Sequence, residues 1–177
     1  MRIIGGNFRG KKITAPNNLP VRPTTDFAKE ALFNILNNSY NFDNIAVLDL
    51  FSGTGNLTYE FISRGCLSTV SVDENFNCVR FIKSTTELLK APKAIAVKSD
   101  AFTFLEKCNQ KFDVIVADPP YEMDNLIRVP NLVFTNNLLT EEGVLIIEHS
   151  TYTDLSNHPN FKERRKYGNV CFSFFAL

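Results

Sequence analysis

Five short apolar runs recur along the chain, and between them stand stretches of helical periodicity. The runs are IAVLDLF (45–51), TVSVD (69–73), AIAVK (94–98), DVIVAD (113–118) and GVLIIE (143–148). They are β-branched and nearly continuous, where a half-exposed strand would alternate apolar with polar. Continuous runs of this length mark strands buried on both faces, and their alternation with helices requires a parallel sheet covered on each side. The intervening helices are expected at about 56–63, 75–90, 101–108 and 124–138. An earlier helix is expected at 24–38, where Phe27, Ala28, Ala31, Leu32, Ile35 and Leu36 share one face. Pro23 precedes it, and Thr24, Thr25 and Asp26 supply capping oxygens. Residues 161–177 differ: a Gly-Asn pair between two strand-like arms predicts a closing antiparallel hairpin.

The length of 177 residues suits one domain with a sizeable core, and 44% hydrophobic residues point to a globular fold rather than disorder. No apolar run approaches the roughly 20 residues a bilayer span needs. The opening MRIIGGNFRGKKI lacks the apolar core of a secretion signal, so a cytoplasmic protein is expected. The four cysteines are scattered and only two histidines exist, His149 and His158. No metal site and no disulfide framework is expected, only reduced and mostly buried thiols. His158 is expected in a loop and His149 in structural support.

Formal net charge is zero, but its distribution is uneven. Residues 1–42 carry six bases and two acids (net +4); residues 43–148 carry nine bases and fifteen acids (net −6). Residues 1–22, rich in glycine and proline, are expected to form a basic arm, a small β-hairpin or irregular segment, ahead of a main domain at 23–177. Such an arm on an acidic body points to a polyanionic partner gripped at one end.

The acids fall in register with the strands. Asp49 lies four residues before Gly53 in VLDLFSGTGN, a glycine turn opening a helix. A dinucleotide fingerprint would place a third glycine at position 58, where Thr58 stands, and the Gly-Lys-Ser/Thr of a phosphate loop is absent. A carboxylate beside such a turn repels phosphate and attracts an ammonium group. Asp73, 20 residues after Gly53, is placed to accept ribose hydroxyls, and Asp100 an adenine amino group. A ligand with ammonium, ribose and adenine but no phosphate fits S-adenosylmethionine.

The fourth run ends in DPPY, residues 118–121. Pro119 keeps Asp118 out of helical geometry, and neither proline has an N–H. The corner is a stiff set of acceptors beside an aromatic face, Tyr121. That arrangement suits methyl transfer to the exocyclic amine of a planar base. Two acceptors on the amine hydrogens favour a pyramidal nitrogen and stabilise the charge that develops on it.

These residues resemble the bacterial 16S ribosomal RNA guanine-N2 methyltransferases of the RsmD type. MRIIGGNFRGKKI, RPTTDFAKEALFNIL, VLDLFSGTGN…EFISRG, FDVIVADPPY and GVLIIEHS carry the resemblance over nearly the whole chain. It implies a Rossmann-like class I methyltransferase fold: a seven-stranded, mostly parallel sheet with a C-terminal antiparallel hairpin. It implies S-adenosylmethionine as donor, bound by Arg22, Thr24, Asp49, Phe51, Gly53, Gly55, Asp73, Asp100, Ala101 and Asp118. It implies catalysis by Asp118, Pro119, Pro120 and Tyr121, and Glu148 and His149 near the same rim. The partner implied is 16S ribosomal RNA or the small ribosomal subunit, met by Arg2, Arg9, Lys11 and Lys12; a monomer is expected. Thr58 and Tyr59 depart from the family, which commonly has glycine and a small aliphatic there. Two alternatives remain at this point: an adenine-N6 DNA methyltransferase, disfavoured because the chain lacks a target-recognition domain, and a non-catalytic RNA-binding module. A protein glutamine methyltransferase would have Asn in place of Asp118.

Overall fold

The computed structural model describes residues 1–16, 19 and 25–177. The chain runs α1 (Asp26–Ser39), β1 (Ala46–Leu50), α2 (Asn56–Ser63), β2 (Ser68–Asp73), α3 (Phe76–Leu88), β3 (Ala94–Lys98) and α4 (Ala101–Lys107). It continues through β4 (Phe112–Ala117), α5 (Arg128–Thr135), β5 (Leu139–Ser150), β6 (Phe161–Tyr167) and β7 (Val170–Ala176). All seven strands form one sheet in the order β3-β2-β1-β4-β5-β7-β6. The five strands of the apolar runs pair in parallel, and β7 inserts antiparallel between β5 and β6.

The continuous apolar runs are explained by the two faces of this sheet. Leu48, Leu50, Ile115, Ala117, Leu145 and Ile147 point to one core with Leu105 of α4 and Val129 and Val133 of α5. Their chain neighbours Val47, Val114, Val116 and Ile146 point to the other, with Leu32, Phe33 and Leu36 of α1 and Leu57 and Phe61 of α2. Because successive strand residues face opposite sides, both must be apolar when both sides are covered. Phe33 and Phe61 meet edge to face at 4.7 Å, fixing α1 against α2.

Two boundaries shift from the sequence expectation. The helix expected at 124–138 is only α5, because residues 124–127 form turns and Pro130, which lacks an N–H, sits in the first turn where that loss costs little. Strand β5 begins earlier than expected, at Leu139, where it pairs with Phe112 before an irregularity in register. The C-terminal hairpin forms as expected, turning at Gly168 (φ 61°). Its edge strand β6 carries KERRK, exposed at every position, and such charge discourages edge-to-edge pairing.

The N-terminal segment closes on itself with Arg2 antiparallel to Lys12, held by the Ile3 N–H to Lys11 O and the Ile13 N–H to Met1 O, both at 3.0 Å. Ile3 and Ile13 pack against Tyr59 and Leu89, so the arm is seated on α2 and the end of α3. His158 lies in a loop, as expected, but it is buried: Phe134 and Phe175 flank its ring at 5.4 and 5.6 Å. All four cysteines are free. No helix among the described residues is long and apolar enough to cross a membrane.

Candidate active site

From β1 the chain steps outward to β2 and β3, then returns to β4 on the opposite side of β1. Such a reversal opens a crevice beyond the carboxyl ends of the strands. A cleft of about 730 Å³ occupies that crevice. Of the residues expected from sequence, Asp49, Phe51, Gly53, Asp73, Asp100, Ala101, Asp118, Pro119, Pro120 and Tyr121 all line it. Gly55 does not; it stands behind the wall, at the N-terminus of α2. Arg22 and Thr24 lie outside the described residues.

The turn after β1 is bent by three left-handed positions, Phe51 (φ 58°), Gly53 (φ 52°) and Gly55 (φ 84°). A Cβ at Gly55 would stand 2.7 Å from the Tyr59 ring, so both the dihedral and the packing demand glycine. Tyr59, in place of a small aliphatic, is buried and fills the space beneath this turn. Phe51 is held in its strained conformation with its ring edge-on to Phe102 at 6.3 Å.

Asp49 is 2% exposed. Its Oδ2 accepts from the Thr58 backbone N–H (3.1 Å) and from Thr58 Oγ1 (2.5 Å), and Thr58 Oγ1 in turn meets Ser71 Oγ (2.7 Å). The threonine at the expected glycine position is therefore what orients the carboxyl. Burial, with the nearby carboxyls of Asp118 and Asp73 adding, pushes Asp49 up to about 7 against these hydrogen bonds. Asp73, at the end of β2, accepts from the backbone N–H groups of Gly53 and Asn75, both at 2.8 Å. It ties the glycine turn to β2 as well as facing the cleft. Asp100 caps α4, its Oδ1 accepting from Thr103 N (2.9 Å) and Oγ1 (3.0 Å).

Asp118 leaves β4 with its N–H donating to Leu50 O at 3.3 Å, which ties the DPPY corner to β1. Tyr121 is 47% exposed, and its hydroxyl donates to Glu148 Oε1 at 3.3 Å. Glu148 is 4% exposed and lines the cleft. Burial first, then the Asp118 carboxyl, pushes it up to about 8, with the Tyr121 hydroxyl pulling the other way. His149, expected near the same rim, does not line the cleft. Its Nδ1 donates to Ser150 O (2.8 Å), which leaves Nε2 to accept from Ser173 Oγ (2.7 Å), a supporting role between β5 and β7.

Sequence reading missed several wall residues. Thr25 and Phe27 at the start of α1 line the cleft, as does the β6–β7 turn, Tyr167 to Val170. Phe27 and Tyr167 meet edge to face at 6.4 Å. No local signal marks these positions; they reach the cleft only because α1 and the hairpin pack on the same face of the sheet.

The donor set decides what the cleft accepts. Six carboxyls line it, Asp49, Asp73, Glu74, Asp100, Asp118 and Glu148, and no Lys, Arg or His among the described residues does. Such a wall rejects a phosphate-bearing cofactor and suits a cationic one with hydroxyl and amino donors. Among the described residues no group of three His, Cys, Asp or Glu is arranged to hold a metal ion. The basic residues of the N-terminal segment, Arg2, Arg9, Lys11 and Lys12, lie outside the cleft and are all exposed. Arg2 pairs with Asp26 at 3.1 Å and Lys11 lies over Phe8 at 5.6 Å. Met1 reaches the rim, its sulfur 4.0 Å from Thr54 Oγ1.

Comparison with known proteins agrees with this geometry. A family model described as Conserved hypothetical protein 95 matches residues 1–176. Ribosomal RNA small subunit methyltransferase D of Escherichia coli (strain K12) is 31% identical over 159 residues, 90% of this chain and 79% of that protein. The protein of the same name from Buchnera aphidicola subsp. Baizongia pistaciae is 28% identical over 99% of this chain and 91% of its own length. A hypothetical protein of Thermus thermophilus superposes with a TM-score of 0.86 at 26% identity, covering 100% of this chain and 99% of the other. With a wall of carboxyls at the sheet's switch point and a family match along its whole length, the chain belongs to the Conserved hypothetical protein 95 family, that of the ribosomal RNA small subunit methyltransferase D proteins.

Proposed function

We propose that this chain is a cytoplasmic enzyme that transfers a methyl group from S-adenosylmethionine to the exocyclic N2 amine of a guanine in 16S ribosomal RNA. The observation that carries the reading is the meeting of the DPPY corner with a cleft whose charged lining, among the described residues, is entirely carboxyl, in a chain whose relatives are named ribosomal RNA small subunit methyltransferase D. When bound, the cofactor supplies an electrophilic methyl carbon on a positively charged sulfur. Asp49 would hold its ammonium group, Asp73 its ribose hydroxyls and Asp100 its adenine amino group, with Phe51 and Ala101 flanking the ring. The supporting argument is physical: burial of a carboxyl that is only 2% exposed raises it to about 7, with neighbouring carboxyls adding, and an ammonium group beside it would hold it ionised.

Asp118 and the backbone carbonyl at Pro119 accept the two amine hydrogens of the target base. That contact draws the nitrogen lone pair out of conjugation and stabilises the positive charge developing on nitrogen, which is discharged when the amine gives one proton to Asp118 or to water and a neutral thioether is left behind. Because the corner is proline-stiffened and tied to β1 through Asp118 N–H, the amine is placed without reorganisation. Tyr121 offers a half-exposed ring for the base to stack on. Arg2, Arg9, Lys11 and Lys12 meet the phosphates outside the cleft, a division of labour demanded by the cleft's own negative charge.

The test is incubation with labelled donor and undermethylated 16S ribosomal RNA or small subunits, followed by mass spectrometry of the nucleosides. N2-methylguanosine is expected. Label found only in N6-methyladenosine of DNA, or in no nucleic acid, would sink the reading.

A further inference from the structure

Four buried side-chain oxygens lack a hydrogen-bond partner among the described residues: Tyr59 Oη, Glu60 Oε2, Thr69 Oγ1 and Glu148 Oε2. Glu60 Oε2 still has Arg64 at 3.6 Å, and neither Tyr59 nor Thr69 lines the cleft. Glu148 does line it, and no cation among the described residues lies within ion-pairing distance of Glu148. A buried acceptor without a donor costs stability, so an oxygen kept in that state beside a substrate-sized cleft points to a donor on the ligand.

Its place in the fold says which donor. Ala117 and Ile147 are partners in the parallel β4–β5 register, so Asp118 and Glu148 are the next residues out along the same rim. Glu148 is still within β5, paired to Phe172 of β7, so its backbone is as rigid as the sheet. Tyr121 holds Oε1. The remaining oxygen, Oε2, is thus fixed next to the corner that grips the target amine. In guanine the group adjoining the N2 amine on the Watson–Crick edge is N1–H, a donor. In adenine the amine is flanked by N1 and N7, both acceptors, which would set lone pair against lone pair.

Resting on the methyl-transfer reading above, we infer that Glu148 is the residue that selects guanine: its Oε2 accepts the N1–H of the base while Asp118 accepts from the adjoining N2 amine. The contact does not require Glu148 to be ionised. With a proton on Oε1 the Tyr121 hydroxyl becomes the acceptor in that contact instead of the donor, and Oε2 keeps a carbonyl lone pair.

The experiment uses small subunits reconstituted with 16S ribosomal RNA carrying, at the mapped target, either guanine or 2,6-diaminopurine. The analogue keeps the 2-amino group but presents an acceptor at N1. For the wild-type enzyme kcat/KM is expected to favour guanine by roughly 10- to 100-fold. Glu148→Ala lowers kcat/KM on guanine by a similar factor and brings the ratio close to one. Glu148→Gln, nearly isosteric and able to turn either its oxygen or its NH2 toward the base, methylates both. Calorimetric affinity for S-adenosylmethionine and far-UV circular dichroism stay at wild-type values in both variants, which separates base reading from folding or cofactor binding. A Glu148→Ala enzyme that keeps the wild-type preference overturns the inference and leaves the methyl-transfer reading intact. A wild-type enzyme that puts no methyl on guanine overturns both.

Discussion

Two groups of buried carboxyls lie on this molecule, and their surroundings are opposite. Glu60 in α2 is 0% exposed and is met by the ammonium of Lys29, itself 0% exposed, at 3.0 Å, by Arg64 at 3.6 Å and by the Ile4 N–H at 2.6 Å. Lys29 Nζ also donates to Arg2 O (2.6 Å) and Asn56 Oδ1 (2.9 Å), so the network ties the N-terminal segment, α1 and α2 together. At the strand ends, Asp49 and Glu148 are almost as buried, yet no cation among the described residues pairs with either. A buried charge that is matched inside the protein serves the fold. A buried carboxyl left unmatched is a cost the fold carries for a ligand.

The largest effect expected from this contrast is on stability. Lys29→Met leaves Glu60 buried without its main counter-charge and should lower the urea unfolding free energy by about 3–5 kcal/mol. The same deletion logic applied to the rim, Asp49→Asn, should leave stability at neutral pH unchanged or raise it. Equal losses in the two variants would erase the distinction between them.

Next comes catalysis. Asp118→Ala should cut the rate of methyl transfer by about 10²–10³ while calorimetry still detects S-adenosylmethionine and the unfolding midpoint holds. Transfer at the wild-type rate would remove Asp118 from the acceptor role.

A smaller effect is in the pH dependence. The folded-state value for Asp49 is raised, to about 7 from 3.8. Below about 4 both folded and unfolded chains hold the proton and the group contributes no slope. Between there and about 7 the folded chain binds more protons, so stability falls as pH rises, and it levels off once both are ionised. Glu148 acts in the same direction up to about 8. Urea titrations from pH 5 to 8 should show this decline without ligand, and Asp49→Asn should flatten the part below 7. Buried His149 and His158, held below the usual imidazole range by desolvation, act in the opposite sense, so the decisive quantity is the difference between wild type and Asp49→Asn, and a difference that stays constant from pH 5 to 7 would contradict the burial argument. Cofactor affinity should move the other way, strengthening as Asp49 ionises, and be lost in Asp49→Asn.

The smallest effect concerns the exposed charges. Neutralising Arg9, Lys11 and Lys12 should weaken RNA binding and reduce the salt slope of log K by roughly 0.7 to 0.9 per lost phosphate contact. An unchanged slope places the RNA elsewhere on the surface.

What the sequence determined by itself is the sheet and its acids. Buried parallel strands must be apolar on both faces, so Val47 and Leu48, or Val114 and Ile115, announce themselves as runs, and an acid ending such a run lands on the carboxyl rim whatever the loops do. The DPPY corner was legible for the same reason, since proline's fixed φ and missing N–H act locally. Tertiary structure decided what depends on residues distant in the chain. Thr58 looked like a departure from a glycine pattern until α2 laid its hydroxyl on Asp49. Lys29 is one of the six bases counted in residues 1–42, and only the packing of α1 on α2 makes it the buried partner of Glu60. Glu148 was an acid at a strand end like the others; its unmatched oxygen beside Asp118 exists because β5 lies against β4 in one particular register. Backbone preferences and burial periodicity act over a few residues and leave their mark in composition, whereas the pairing or isolation of a charge is set by neighbours that only the folded chain brings near.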